Sequence, residues 1–167
     1  MIRRSHLLLS VLGILVLAPP AAAALPAGSK VIVPGKSIGG VKIGMPAEDA
    51  LKIWGRGGSC DEGIRGTCRY ADSFEAALQF DVVDGKVSLI AIRVATDDRG
   101  TPRFKGTILR WKTAKGIRIG SSQRSLVKAY PKVKGSPSGV ALVASGRRTT
   151  FASSGGRVSE IVIERNP

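Results

Sequence analysis

Apolar residues recur at helical spacing in two short segments of the chain. Each segment follows an Ile-Gly pair, Ile43-Gly44 in the first case and Ile119-Gly120 in the second. The recurring positions are Ala47, Ala50, Leu51 and Trp54 in the first segment, and Leu126, Val127 and Tyr130 in the second. This spacing predicts two short amphipathic helices. Gly55 and Pro131 follow them as stop signals.

The segments after each helix alternate apolar and polar residues, which predicts half-buried strands. After the first helix the predicted strands run from Phe74 to Val82 and from Lys86 to Val94, joined by the hairpin turn Asp84-Gly85. After the second they run from Arg147 to Ala152 and from Arg157 to Glu164, joined at Gly155-Gly156. Further strands are expected around Thr67 to Ala71 and around Val140 to Ala144.

The two segments match each other residue by residue, which indicates an internal duplication. At an offset of 76, Val41 to Met45 matches Ile117 to Ser121 and the first helix matches the second. At an offset of 71, Phe80 matches Phe151 and the hairpins coincide. The sequence therefore predicts an α+β fold of two tandem repeats, each a short helix packed on a three- to four-stranded antiparallel sheet, with the two sheets joined or packed side by side. The expected boundaries are residues 25–98 and 99–167, with a linker at 99–105.

The first 24 residues have the three parts of a secretory signal peptide. Arg3 and Arg4 precede the apolar run Leu7 to Ala18, and the small residues Ala21 to Ala24 follow. The alternative is a retained membrane anchor, but the apolar run is short for a membrane span. The chain is thus expected to be exported and extracytoplasmic, starting near Leu25 after cleavage.

Cys60 and Cys68, with seven residues between them, are expected to form a disulfide in an exported protein. Zinc would need about four nitrogen or sulfur ligands. The single histidine, His6, lies in the predicted signal peptide, so the mature chain lacks an imidazole for base catalysis. The pair Ser125 and Lys128 lacks a third group that would make it a hydrolase site. The sequence predicts no catalytic residue, no metal and no cofactor.

The charge is strongly one-sided. Removal of Arg3 and Arg4 with the leader leaves a net charge of +12, and residues 99–167 hold fifteen Lys or Arg against two acids. The densest basic run includes Arg103, Lys105, Arg110 and Lys112, and Trp111 lies among these cations. Such a surface attracts polyanions and acidic partners; the alternative is a solvated face that maintains solubility. Trp111 is equally compatible with a core position.

The two Ile-Gly motifs and the cysteine loop carry a resemblance to a known family. Val41-Lys42-Ile43-Gly44-Met45, its second copy Gly116 to Ser121, and the Cys60 to Cys68 loop resemble the beta-lactamase inhibitory protein fold and the related small outer-membrane lipoprotein of the barrel-assembly machinery. The resemblance implies a tandem α/β repeat that binds its target through a concave sheet rich in aromatic residues. In that family both copies usually carry a disulfide, whereas here only the first contains cysteines.

The function that these observations predict is that of an exported, non-enzymatic binding module. Its partner is expected to be an extracellular or envelope protein that binds the sheet face and loops, with Glu75, Gln79, Asp81 and Arg93 opposite the apolar side of the first sheet. The alternative is a binder of anionic envelope polymers or lipid headgroups through the basic second repeat. No specific nucleic-acid partner is expected in this compartment.

Overall fold

The computed structural model of the chain describes residues 29–55, 59–60, 65–71, 76–97, 99, 101–136, 139–144 and 146–165. The fold is α+β, with two sheets and few helices. The predicted signal peptide, residues 1–24, lies outside the described residues, as does Glu75. Within the described ranges, no helix combines the length and the apolarity that crossing a membrane requires.

The helices are α1 (Ala47–Trp54), α2 (Gln123–Ala129) and a short 3-10 helix (Thr107–Arg110). The strands before the C-terminal hairpins are β1 (Val31–Val33), β2 (Ser37–Ile38), β3 (Val41–Lys42), β4 (Ser59–Cys60), β5 (Arg65–Ala71), β6 (Ala76–Val83), β7 (Lys86–Val94) and β8 (Lys112–Thr113). The remaining strands are β9 (Lys134–Ser136), β10 (Gly139–Ala144), β11 (Arg147–Ser154) and β12 (Arg157–Arg165). The predicted helices and hairpins are confirmed.

Both helices begin and end where their local sequences favour it. At the start of α2 the Ser122 side chain accepts a hydrogen bond from the Ser125 backbone N–H at 3.1 Å, which satisfies one of the free amides of the first turn. The α1 helix begins after Pro46 with two acids in its first turn, where the helix dipole favours negative charge. It ends at Gly55, which adopts a φ of 83° and donates its N–H to the Leu51 carbonyl at 2.7 Å.

The strands after the helices form one antiparallel sheet of eight strands in the order β4-β5-β6-β7-β12-β11-β10-β9. The N-terminal and C-terminal halves of the chain therefore meet edge to edge, through β7 and β12. Ile92 pairs with Ile161 and Ile90 with Ile163 across this junction. The strand order of one half is the reverse of the other, so the last strand of each half lies at the centre of the sheet.

One face of the large sheet packs against both helices and holds the core. Trp54 of α1 contacts Phe80 at a ring-centroid distance of 5.5 Å, and Tyr130, which follows α2, stacks on Phe151 at 5.8 Å. Both phenylalanines are fully buried, as are Tyr70 and the isoleucines of β7 and β12. The core is continuous across the two halves.

A second, mixed sheet of four strands, in the order β3-β2-β1-β8, ties the halves together. β1 pairs antiparallel with β2 and parallel with β8, so the N-terminal strand reaches the C-terminal half. Just beyond it, the Gly35 N–H donates to Thr149 Oγ1 of β11 at 2.6 Å. From the C-terminal half, the 3-10 helix contacts β6 of the N-terminal half, and Trp111 lies against Gly39. Each half thus extends a short segment onto the other.

Candidate functional site

The face of the large sheet opposite the helices is here called the open face. Because successive residues of a strand point to opposite sides, the strand register assigns its members. One row crosses six strands, from Arg69 through Gln79, Ala91, Val162 and Thr150 to Ala141. The neighbouring rows add Thr67, Asp81, Leu89, Glu164, Arg148 and Val143 on one side, and Ala77, Arg93, Glu160 and Ala152 on the other.

Charges on the open face are paired across neighbouring strands. Arg93 of β7 forms a salt bridge with Glu160 of β12. Arg148 of β11 contacts Glu164 of β12, with Nε at 2.9 Å and Nη2 at 2.8 Å from the same carboxylate oxygen. Both pairs join residues that the register sets directly opposite each other, the arrangement in which opposite charges stabilise a sheet.

A polar network occupies the N-terminal part of the open face. Asp81 Oδ1 accepts hydrogen bonds from Thr67 Oγ1 at 2.9 Å and from Gln79 Nε2 at 2.8 Å. Arg69 Nη2 donates to Gln79 Oε1 at 3.5 Å. Arg69, Asp81 and the two salt bridges together give three cations and three acids, so these six charges sum to zero.

The sequence-predicted residues of this face differ in accessibility. Arg93 keeps nearly half of its side chain exposed while it pairs with Glu160. Asp81 is half-buried. Gln79 lies on the predicted face but is only 7% exposed, because its amide is held between Arg69 and Asp81. Sequence reasoning missed Glu160 and Glu164 as members of this face, because they reach it only once β12 joins β7.

The predicted basic and aromatic run consists of exposed cations and a buried indole ring. Trp111 is 1% exposed and belongs to the core, so it is not the exposed binding residue of the run; the core alternative is the correct one. Arg103, Lys105, Arg110 and Lys112 are exposed. The Arg103 backbone N–H binds the Ala95 carbonyl beside the end of β7, whereas Lys112 lies in β8 of the other sheet.

The predicted disulfide is confirmed. Cys60 and Cys68 are bonded to each other across β4 and β5, and they occupy directly opposed positions of the strand register. Cys68 is buried and pairs in register with Phe80. The disulfide therefore fixes the short edge strand β4 to the core side of the large sheet.

Tyr70 and Asp97 have displaced pKa values, and both shifts have structural causes. Burial raises the pKa of Tyr70, whose hydroxyl donates to the Gly55 carbonyl at 2.6 Å and so fixes the end of α1 to the sheet. The backbone N–H groups of Thr101 and Arg99 hold the pKa of Asp97 below its usual range. Asp97 is half-buried in the connection between the halves.

The chemistry available in the described part of the chain is limited. Among these residues, no group of three or more His, Cys, Asp or Glu side chains is placed to hold a metal ion. A cavity of about 350 Å³ lies at the β6–β7 hairpin, lined by Val83, Asp84, Lys86, Val87, Ser88 and Arg165. It combines two cations with one carboxylate and is open to solvent.

Comparison with known proteins yields one distant structural neighbour. No protein-family model matches the chain, and no curated protein matches its sequence. Among solved structures, the chain is similar to an extracellular protein containing a SCP domain from Bacillus anthracis str. Ames, with 12% sequence identity and a TM-score of 0.42. The alignment covers 74% of this chain and 44% of that one. The chain therefore spans less than half the length of this neighbour.

Proposed function

We propose that this protein is an exported, non-enzymatic binding protein whose open face docks a protein partner. The observation that carries the proposal is the architecture of the large sheet. Its eight strands have one face packed against the described helices, and the other face presents paired charges and small side chains. A broad sheet face that the described helices leave uncovered is a ready-made docking platform.

The dimensions of the open face suit a protein rather than a small molecule. The eight strands contain 52 residues, and each residue occupies about 16 Å² of the sheet, from a rise of about 3.3 Å and a strand spacing of about 4.8 Å. The resulting face of about 820 Å² is close to the roughly 800 Å² that each partner contributes to a standard protein interface. The cavity at the β6–β7 hairpin is smaller and lies at the border of this face.

Small side chains at the centre of the open face favour close approach of a partner. Ala77, Ala91, Ala141 and Ala152 occupy central rows of this face, and Ala91 is fully buried between its neighbours. Arg93 and Glu160, which lie beside Ala77 and Ala152, are already paired with each other. A partner can therefore cover the centre of this face without leaving an isolated charge buried, which is the costly outcome at an interface.

Export is supported by the disulfide together with the leader-like first 24 residues. Disulfides persist in oxidising compartments and are rare in the cytosol, and the Cys60–Cys68 bridge is formed. Residues 1–24 have the basic, apolar and small-residue parts of a signal peptide. Both features favour a location outside the cytoplasm.

We also propose that the two halves are copies of one α+β unit, and matched backbone contacts support this. Gly44 donates to Val87 O at 2.7 Å, and Gly120, 76 residues later, donates to Val158 O at 2.8 Å. The bulge at Asp81/Val82 recurs at Ala152/Ser153, at an offset of 71. At that offset, the pairing of β7 with β12 is symmetric about Ala91 and Val162, as expected if two equal units join by a two-fold operation.

The resemblance to the inhibitory-protein fold fits this arrangement but gives no target. Among the residues that the structure describes, the aromatic side chains are buried or half-buried, and those of the large sheet, Tyr70, Phe80 and Phe151, lie on its core face. A partner would therefore meet paired charges and small residues on the open face, rather than aromatic anchors.

An affinity experiment with point variants on the two sides of the molecule tests the docking face. The mature chain is immobilised and exposed to the envelope fraction of its own source, and a partner retained in stoichiometric amount is identified. Thr150→Arg places a long cation at the centre of the open face, where Thr150 is half-buried. We expect this variant to release the partner, since one bulky group disrupts the packing of a whole interface core.

Val127→Arg is the matched control, because Val127 is 47% exposed on α2, on the opposite side of the large sheet. It adds the same charge and the same bulk. Retention of the partner by this control and its loss with Thr150→Arg support the proposal. Equal retention by both variants contradicts docking on the open face.

A further inference from the structure

The side of the C-terminal half that carries α2 presents a surface of one sign. Seven cationic side chains are exposed there, and they are called the basic surface: Lys112, Lys115, Arg118, Arg124, Lys128, Lys132 and Arg157. From Arg99 to Ser159 the sequence contains no acid. The acids that follow, Glu160 and Glu164, are paired on the opposite side of the large sheet.

Contacts around α2 show that these cations are neighbours. Lys115 Nζ donates to the Ala129 carbonyl at the end of α2 at 2.7 Å and lies 4.8 Å from the centre of the Tyr130 ring. This position places Lys115 beside Lys128 and Lys132. Arg124 and Lys128 are one helical turn apart on the exposed side of α2.

The beginning of α2 joins the rest of the basic surface. Arg118 donates its backbone N–H to Ser121 Oγ at 3.0 Å and pairs in register with Lys112. Arg157 Nη1 donates to the Gly120 carbonyl at 3.1 Å. The cations therefore form one continuous surface that follows α2 from its first turn to its last.

The N-terminal half has cations at three positions that correspond to the basic surface, but acidic side chains accompany them on its helix. At an offset of 76, Lys112, Arg118 and Lys128 correspond to Lys36, Lys42 and Lys52. The first turn of α1 carries Glu48 and Asp49, and Asp49 pairs with Lys52 at 2.9 Å. The corresponding residues of α2 are Arg124 and Ser125. Among the described residues, the charged side chains of α2 are thus all basic, whereas those of α1 include two acids.

We propose that the basic surface binds an extended, phosphate-rich polymer of the cell envelope, in addition to the protein docked on the open face. Spaced cations along a helix match a chain of regularly spaced anions, and such binding is driven by release of counterions. A lipid bilayer is a poorer match, because binding in the membrane interface also needs buried apolar side chains. The large apolar residue described as exposed on α2 is Val127 alone, and Tyr130 lies beneath Lys115.

Binding of long-chain inorganic polyphosphate to the mature protein, measured by fluorescence anisotropy over a series of salt concentrations, tests this proposal. The test variant combines Lys112→Gln, Arg118→Gln and Lys128→Gln. We expect it to bind roughly 100-fold more weakly, at about fivefold for each cation near a polyanionic surface. The slope of log K against log salt should become shallower by about two.

The control variant combines Lys36→Gln, Lys42→Gln and Lys52→Gln, which removes the same charge from the corresponding positions of the other half. We expect it to change the affinity by no more than about threefold, because charges beyond a Debye length are screened. Equal weakening by both variants would mean that net charge alone drives binding and would overturn the proposal. Anionic phosphatidylglycerol vesicles provide the second probe. Binding to them as tight as to polyphosphate would overturn the choice of a polymer. Circular dichroism of both variants verifies that they are folded.

Discussion

The contact between Trp111 and Gly39 provides a direct test of how the two halves hold each other. Gly39 has a φ of +58°, and a methyl group added there would lie 2.4 Å from Trp111 Cζ3 and 2.9 Å from Trp54 Nε1. The Trp111 ring is 1% exposed and comes from the C-terminal half. The substitution Gly39→Ala therefore forces this ring away from the surface of the N-terminal half on which it packs.

The expected loss of stability has two parts. A left-handed backbone costs an alanine about 1 to 2 kcal/mol, offset by about 0.4 to 1 kcal/mol because alanine restricts the unfolded chain. Overpacking a filled core adds about 1 to 3 kcal/mol. We expect Gly39→Ala to lower the free energy of unfolding by about 2 to 4 kcal/mol in total. At about 3 °C for each kcal/mol, Tm should fall by roughly 6 to 12 °C.

Gly85→Ala is the control for the backbone part. Gly85 has a φ of +70° and no atom within 4 Å of the added methyl group, so it should lower the free energy of unfolding by only about 1 kcal/mol. Urea unfolding of both variants, followed by far-UV circular dichroism, measures the difference. If Gly39→Ala is no more destabilising than Gly85→Ala, Trp111 does not pack on Gly39 and the interlocking of the halves is refuted. In a Trp111→Leu background the additional loss caused by Gly39→Ala should be smaller than in the wild-type background, since the clash with the ring is relieved.

Two further predictions concern the hydrogen bond between Gly35 and β11 and the disulfide that holds the edge strand β4. Thr149→Val removes the hydroxyl that accepts the buried Gly35 N–H, and we expect it to lower the free energy of unfolding in urea by about 1 to 3 kcal/mol. Thr150→Val, the control at the neighbouring position on the open face, should change stability by less than about 0.5 kcal/mol. Equal effects of the two variants would argue against this hydrogen bond. Reduction of the Cys60–Cys68 disulfide, or Cys60→Ser with Cys68→Ser, should lower the free energy of unfolding by about 2 to 3 kcal/mol, as expected for a loop of seven intervening residues. Titration of two free thiols in the native, non-reduced protein would contradict this prediction.

The candidate site could be predicted only in part, because side-chain accessibility on a sheet depends on neighbouring strands. Alternation in the sequence assigned Gln79, Asp81 and Arg93 to the face opposite the core, and the register agrees. It gave no sign that Gln79 is enclosed by its own neighbours. Trp111 lies among cations in the sequence, yet its ring packs in the core, since a long-range contact with Gly39 decides its position.

The sequence by itself determined the elements and their local ends. Helical spacing, the stop at Gly55, the turn at Asp84-Gly85 and the pairing of Cys60 with Cys68 all depend on residues close together in the chain. Short-range interactions of this kind act the same way in any fold.

The tertiary structure alone decided how the two halves combine. Apolar residues at β7 and β12 indicated buried strands, but they did not indicate that Ile90 would pair with Ile163 to make one sheet of eight strands. Nor did the sequence show that β1 would cross to β8. Many edges could satisfy the same backbone hydrogen bonds, and the choice among them follows from which arrangement buries the most apolar surface. That choice places the paired charges of β7, β11 and β12 together on the open face.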